Sequence, residues 1–318
     1  MKKKKQFLKI NLILSFLLLG VLYFFSYLWI NYFDENSSKF LRLNQEKNFF
    51  KLKIINLGSS HTKYGIKYPD GINGYNFALS SQPFYYDNKI LKKYSNKLKE
   101  NCIVIIPISI FSFYAGVNTE NIDKNYIFIL EKKDILHLKN KEYFLLKYFS
   151  VTQPLSRLYK TFFNIIDILK NHNLKKFEVI YNNNFTLLEM KNDSIKAVER
   201  HLKNSSLENN YISIQQIIEI LKFLEEKKCI PIFITTPTTY LYNEQMGIKN
   251  FEKRIYNNIK EVEKQMGKKY LYLDYSHDQR FEKNIEYFMD SDHLNENGAE
   301  YFTEILLEDI KNQGYHFD

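Results

Sequence analysis

The sequence predicts a three-layer α/β fold, a parallel sheet covered by helices on both faces, carried behind a single membrane-spanning helix. Three observations predict it. Short apolar runs rich in β-branched and aromatic residues recur along the chain, amphipathic helical patterns fall between them, and a stretch of 21 residues without a charge stands near the N-terminus.

The N-terminal elements come first. Residues 1–9 form a basic tail with Lys2, Lys3, Lys4, Lys5 and Lys9, and residues 10–30 read INLILSFLLLGVLYFFSYLWI. At about 1.5 Å per helical residue this run spans roughly the 30 Å hydrocarbon core of a bilayer. The basic cluster precedes it and Asp34 and Glu35 follow, so the positive-inside rule places the N-terminus in the cytoplasm and the rest of the chain outside. Tyr27, Trp29 and Tyr32 stand where an interfacial aromatic belt belongs. A cleaved signal peptide is the rival reading. Its apolar core runs about 7–15 residues and is followed by a small-x-small site, so the longer run here, with no such site, favours an uncleaved anchor. Residues 31–51 lack a clear period and read as a short stalk.

Charge and composition narrow the function classes. The net charge of +9 divides unevenly: five of the 45 basic residues and none of the 36 acidic ones lie in residues 1–31, leaving 40 against 36 in the remainder. That balance argues against a phosphate-binding surface, and no nucleic-acid partner is expected. With 318 residues and 45% hydrophobic content the chain can bury a full core.

The strand candidates are KIINL (53–57), GYNFAL (74–79), CIVIIPI (102–108), CIPIFIT (229–235) and KYLYLD (269–274). They are short and apolar, as strands buried on both faces are. Helical spacing follows at Leu91, Tyr94 and Leu98, at Ile214, Ile217, Ile218, Leu221 and Leu224, at Phe251, Ile255, Ile259, Val262 and Met266, and at Ala299, Phe302, Leu306 and Ile310. The sheet-bearing domain is thus 52–318. Residues 114–210 interrupt its rhythm with helical fragments (YFLLKYF, LYKTFFNIIDILK) and polar breaks (NNNF, KNSSLENN), and read as a helical insertion over the carboxyl edge of the sheet. There its aromatic residues, among them Tyr114, Tyr126, Phe128, Tyr143, Phe144 and Tyr148, would wall a cleft, either stacking on sugars or simply packing a lid. Cys102 and Cys229 each open a strand; they are either two small buried residues or, if the strands are neighbours, a pair at one level, and the first reading is favoured.

Ligand sites in such sheets lie at the carboxyl ends of strands. The first strand runs directly into Gly58-Ser59-Ser60-His61. Small residues suit any strand end, so the turn alone is ambiguous. Of the seven histidines, His293 stands apart, three residues after Asp290 and just before the final amphipathic helix, with Asn295 as its cap. In an Asp-x-x-His turn the carboxylate can accept the Nδ1 proton and leave Nε2 free to face a serine. Asp292 would point elsewhere, and His61 reads as a neighbour rather than the base, because its ring reaches the preceding side chain with difficulty. A capping turn is the bland alternative for Asp290 and His293. The two motifs together, in this order at the two ends of the α/β pattern, favour a catalytic pair.

These residues carry a resemblance. Gly58-Ser59-Ser60 and Asp290-x-x-His293 resemble the first and last motif blocks of the SGNH (GDSL-like) hydrolase superfamily, over a frame of residues 53–313. NLGSSHT and NFALSSQPFYYD are similar to its membrane-anchored branch, which includes the D-alanine transfer protein of teichoic-acid modification and alginate O-acetyltransferase-like proteins. The resemblance implies a flavodoxin-like sheet and a Ser60, His293, Asp290 triad acting as a serine esterase or O-acyltransferase on a cell-envelope polysaccharide or lipid-linked glycan, outside the cytoplasmic membrane. For transfer it implies a multi-spanning membrane acyltransferase as partner. The sequence departs from the family in two places. Ser59 replaces the usual Asp before the nucleophile. The second-block glycine is replaced by Ser81 and the third-block asparagine is absent after CIVIIPIS, so Ser60, Ser81, Ser109 and Ser112 are the oxyanion candidates. That gap keeps a second class open: an anchored, non-catalytic binding or assembly protein on the same fold. No cofactor or metal is expected, since His-x-x-x-His and Cys-x-x-Cys spacings and a Gly-rich phosphate loop are all missing.

Overall fold

In a computed structural model, residues 2–45, 51–117, 119–150, 160–163, 165–166, 185–203 and 205–317 are described. Helix α1 (Lys2–Leu28) continues through a π turn at Trp29–Phe33 into α2 (Glu35–Gln45). The region then alternates: β1 (Leu52–Asn56), α3 (Ser60–Gly65), β2 (Gly74–Asn76), α4 (Phe84–Tyr94) and β3 (Leu98–Pro107). After it come α5 (Asn140–Tyr148), α6 (Leu187–Leu202), α7 (Leu207–Glu226), β4 (Ile230–Thr235), α8 (Tyr240–Met246), α9 (Ile248–Phe251), α10 (Asn257–Met266), β5 (Tyr272–Asp274) and α11 (Glu296–Asn312).

The five strands form one parallel sheet in the order β2-β1-β3-β4-β5. This is the flavodoxin-like doubly wound order, and the three-layer α/β class read from the sequence is the class observed. Ile54, Ile55, Ile103, Val104, Ile105, Ile106, Ile232 and Ile234 are wholly buried, as a sheet covered on both faces requires. From β1 the chain steps outward to β2, then returns past β1 to β3. That reversal opens a crevice at the carboxyl ends of β1 and β3, where Ser60 begins α3.

Gly58 makes this turn possible. Its φ is +112°, and a Cβ there would lie 2.1 Å from the Pro107 ring. Its amide donates to the buried Asp87 (2.7 Å), which also accepts from Gln82 (2.7 Å), so one carboxyl fixes the approach to Ser60. Burial pushes the pKa of Asp87 up to about 7 against those two bonds.

By contact density the chain divides into one unit of residues 48–118 and 181–318 and another of residues 1–47 and 119–180. The first holds the whole sheet. In the second, α1 touches α5, and α2 touches the 3-10 turn Asp123–Tyr126. Three expectations change here, and the favoured reading of the two cysteines does not. Residues 35–45 form a helix rather than an irregular stalk, capped by Asp34 (Ser37 N to Oδ2, 3.0 Å) and burying Phe40 and Leu43. The expected 114–210 insertion is too long: α6 and α7 belong with the sheet, α7 burying Ile217, Ile220, Leu221 and Leu224. The LYKTFFNIIDILK segment and the break at 182–184 fall mostly outside the described residues. Leu98, read as helical, starts β3 instead, paired with Leu52. Cys102 and Cys229 are free, buried thiols one residue before the paired Ile103 and Ile230.

Candidate active site

Four elements bring side chains to the crevice. Ser60 and His61 open α3, Ser109 follows β3, His201 ends α6, and Asp290–His293 form the loop before α11. The last loop is set by its helix. Asn295 caps α11 by accepting from the Gly298 amide (3.0 Å), and a Cβ on Gly298 would lie 2.1 Å from the Tyr287 carbonyl.

Within that loop Asp290 curls back on itself. Its Oδ1 accepts from the amides of Asp292 (3.1 Å) and His293 (2.7 Å), and both oxygens lie 3.0 Å from His293 Nδ1. A carboxylate accepts only, so Nδ1 carries the proton and donates. Nε2 is then the lone-pair nitrogen of the neutral ring, and Ser60 Oγ sits 2.8 Å from it. Ser60, His293 and Asp290 are thus brought into one hydrogen-bonded chain. Burial works against an imidazolium here, but the hydrogen bond to Asp290 and the charges of Asp292 and Asp290 outweigh it and hold the His293 pKa above its ordinary value.

Behind this chain lies a second one. His61 Nε2 donates to Asp292 Oδ2 (2.9 Å), and His61 Nδ1 meets Ser109 Oγ (3.1 Å). His201 Nε2 stands 3.6 Å from the same Asp292 oxygen, with its Nδ1 2.8 Å from the Tyr242 hydroxyl. Burial drives both imidazoles toward the neutral form, lowering His61 and pushing His201 down to about 3. A neutral His61 that donates from Nε2 must accept at Nδ1, so the Ser109 hydroxyl is the donor there, while His201 Nδ1 pairs with the Tyr242 hydroxyl. Burial alone would raise the pKa of Asp292, but the His61 hydrogen bond and the nearby His293, His61 and His201 more than reverse this, holding it well below the usual carboxylate range. His61, Asp292 and His293 offer donor atoms within 4.8 Å of one another, close enough for a shared metal ion, yet these atoms are already joined as donors and acceptors in the two chains.

The oxyanion candidates separate. Ser60 stands at the start of α3 beside the crevice. Ser81 occupies an exposed turn with φ +59°, closed by the Gln82 amide on the Leu79 carbonyl (3.2 Å). Ser109 is committed twice, its hydroxyl to His61 and its amide to Ser112 Oγ (2.8 Å). Ser112 accepts that bond and keeps its own hydroxyl proton to donate.

The sequence reading placed Asp292 away from the His293 ring. The structure turns its Oδ2 to His61 and His201, while its Oδ1 stays 3.6 Å from His293 Nδ1. His201, Arg200, Ser109's partner role and Tyr242 were not foreseen. One signal pointed to His201. Met190, Ser194, Ala197, Val198 and His201 form the buried stripe of α6, so the histidine lies on the inward face at helical spacing. Separately, a groove of about 640 Å³ beside α8 and α9 is lined by Tyr240, Asn243, His277 and Glu282, and Ser60, Asp290 and His293 do not line it.

No protein-family model matches the sequence, and no curated protein matches it. Among solved structures the chain is similar to a Bacteroides fragilis protein provisionally described as an acylhydrolase, at 10% identity and a TM-score of 0.39, over 85% of this chain and 94% of that one. A likeness of that degree says nothing about the site. Among the described residues one helix, Lys3–Phe33, is long and apolar enough to cross a membrane.

Proposed function

We propose that this chain is a membrane-anchored serine acyl hydrolase or O-acyltransferase of the SGNH type, with Ser60 as nucleophile, His293 as general base and acid, and Asp290 as the carboxylate that orients His293. The observation that carries this reading is the 2.8 Å contact of Ser60 Oγ with His293 Nε2, in a ring whose other nitrogen is fixed 3.0 Å from Asp290. His293 takes the Ser60 proton as Oγ bonds to the acyl carbon, then gives that proton to the departing alkoxide. Water, or an acceptor hydroxyl, repeats the steps in reverse order on the acyl-Ser60 ester. The Ser60 amide and the Ser112 hydroxyl are the donors nearest in role to an oxyanion hole.

The apolar helix and the basic tail before it support an anchor with its N-terminus in the cytoplasm and the sheet unit outside. A tethered enzyme there suits an envelope polysaccharide or lipid-linked glycan. A single helix carries no acyl group across a bilayer, so transfer requires a multi-spanning acyltransferase partner. A non-catalytic binding role has no need of a serine held on an oriented histidine.

The test uses the full chain in detergent micelles with a chromogenic acetyl ester. Hydrolysis that disappears in Ser60→Ala and in His293→Gln is expected. Equal rates in wild type and Ser60→Ala would remove Ser60 from the mechanism.

A further inference from the structure

Asp292 has a geometry that the triad does not explain. It is 1% exposed, and its Oδ2 is occupied by His61. Among the described residues its Oδ1 has no hydrogen-bond partner, and it faces His293 Nδ1 at 3.6 Å and Arg200 Nη2 at 4.0 Å. A buried carboxylate with an unsatisfied oxygen is costly, and two neutral imidazoles supply dipoles rather than a counter-charge. The Arg200 side chain is 59% exposed, where water screens it. Among the described residues the remaining cation within reach is the imidazolium that His293 becomes when it takes a proton from Ser60.

We propose that Asp292 is a positioning residue for the Ser60–His293 pair: His61 and His201 clamp one of its oxygens so that the other stays aimed at His293 and stabilises the imidazolium formed during the reaction. This rests on the roles given above to Ser60 and His293. The arrangement divides labour between two neighbouring carboxylates. Asp290 accepts the Nδ1 proton and fixes the ring. Asp292 adds charge without competing for that proton, because His61 Nε2 at 2.9 Å holds its other oxygen away.

Charged and titrating groups face His293 from its own loop and from helices α3, α6 and α8. Its own loop brings Asp290 and Asp292. Helix α3 brings His61 and Tyr64, with ring centres 4.7 Å and 6.0 Å from that of His293, and Lys63 over the Tyr64 ring. Helix α6 brings Arg200, His201 and Asp193, whose Oδ2 accepts the Ser291 amide (2.9 Å). Helix α8 brings Tyr242 behind His201. Arg200 opposes the imidazolium and the carboxylates favour it, and the net direction for His293 is upward.

Histidine-selective NMR titration of the full chain in detergent micelles reads the His293 midpoint without any substrate. The wild-type midpoint is expected above the ordinary value of about 6.5. In Asp292→Asn, which keeps the side-chain shape, it should fall by about one pH unit or more, the low end of what a close opposite charge does. The acidic limb of kcat/KM for the acetyl ester should move down by the same amount, with a lower plateau. A role in folding alone would move neither midpoint nor limb. An unmoved midpoint in a folded Asp292→Asn overturns the proposal. So does a wild-type midpoint at or below about 6.5, which needs no variant to fold. A shifted midpoint in a chain that cleaves no ester would keep the charge coupling and remove the hydrolase reading; cleavage with an unmoved midpoint would do the reverse.

Discussion

Two hydrogen-bonded chains of the same three residue types run side by side in this crevice. One is Ser60–His293–Asp290 and the other is Ser109–His61–Asp292, with His61 next to Ser60 in sequence and Asp292 next to His293. Their connectivity looks alike, but their surroundings differ. Ser60 is partly exposed and His293 has its pKa held up by two carboxylates, whereas Ser109 is buried at 5% exposure and burial drives His61 toward the neutral form. A Ser–His–Asp chain does chemistry only where the serine can meet a substrate and the histidine can hold a proton. The second chain lacks both conditions, and in the function proposed above it frames the first.

The largest expected effect separates the two serines. Ser60→Ala should lower ester hydrolysis by roughly four to six orders of magnitude, as loss of a triad nucleophile does, and Ser109→Ala by less than about tenfold. Comparable losses would break the distinction between the chains. The carboxylates give the next contrast. Asp290→Asn, which spoils the tautomer of His293, should cost on the order of 10^4-fold in kcat, far more than Asp292→Asn.

These contrasts also mark how far the sequence reached. Ser60, Asp290 and His293 were legible because each is fixed locally: a strand end, an Asp-x-x-His turn and a capped helix start can be read over a few residues. The five strands were legible for the same reason. Ser109, His201 and Tyr242 meet only after β3, α6 and α8 are assembled, and nothing within each segment announces the others. The 114–210 boundary failed on related grounds, since the buried stripe of α6 matches a sheet-packing helix and an insertion helix equally well until its partner is known. The stalk reading of 31–51 overlooked that Asp34 caps a helix and that Phe40 and Leu43 lie one turn apart on its buried face.

A third contrast concerns backbone against side chain. Gly58→Ala should destabilise the chain by about 3 kcal/mol, because φ is +112° and the new Cβ would overlap the Pro107 ring at 2.1 Å. Thermal unfolding in micelles measures it, and an unchanged midpoint would contradict the account of the nucleophile turn.

The buried frame should also show in acid. His201 titrates at about 3 in the folded protein and near its ordinary value of about 6.5 when unfolded. The unfolded state therefore binds the extra proton between those values, so this stabilising contribution is complete above about 6.5 and is lost as pH falls toward 3. In His201→Gln the plot of unfolding temperature against pH should be flatter across that window; parallel curves would place His201 outside the frame. The smallest expected effect lies at the cysteines. Burial pushes Cys229 up to about 11 and Cys102 further, so neither thiol should react with iodoacetamide at pH 8 until the chain unfolds, and early labelling of either would contradict their burial.

The most direct measurement of the central claim is where a serine-directed fluorophosphonate attaches to the full chain, read by peptide mass mapping. The account predicts a single adduct on the peptide containing Ser60, absent in Ser60→Ala and strongly slowed in His293→Gln. An adduct on the Ser109 peptide, or a Ser60 adduct that forms equally fast without His293, would contradict it.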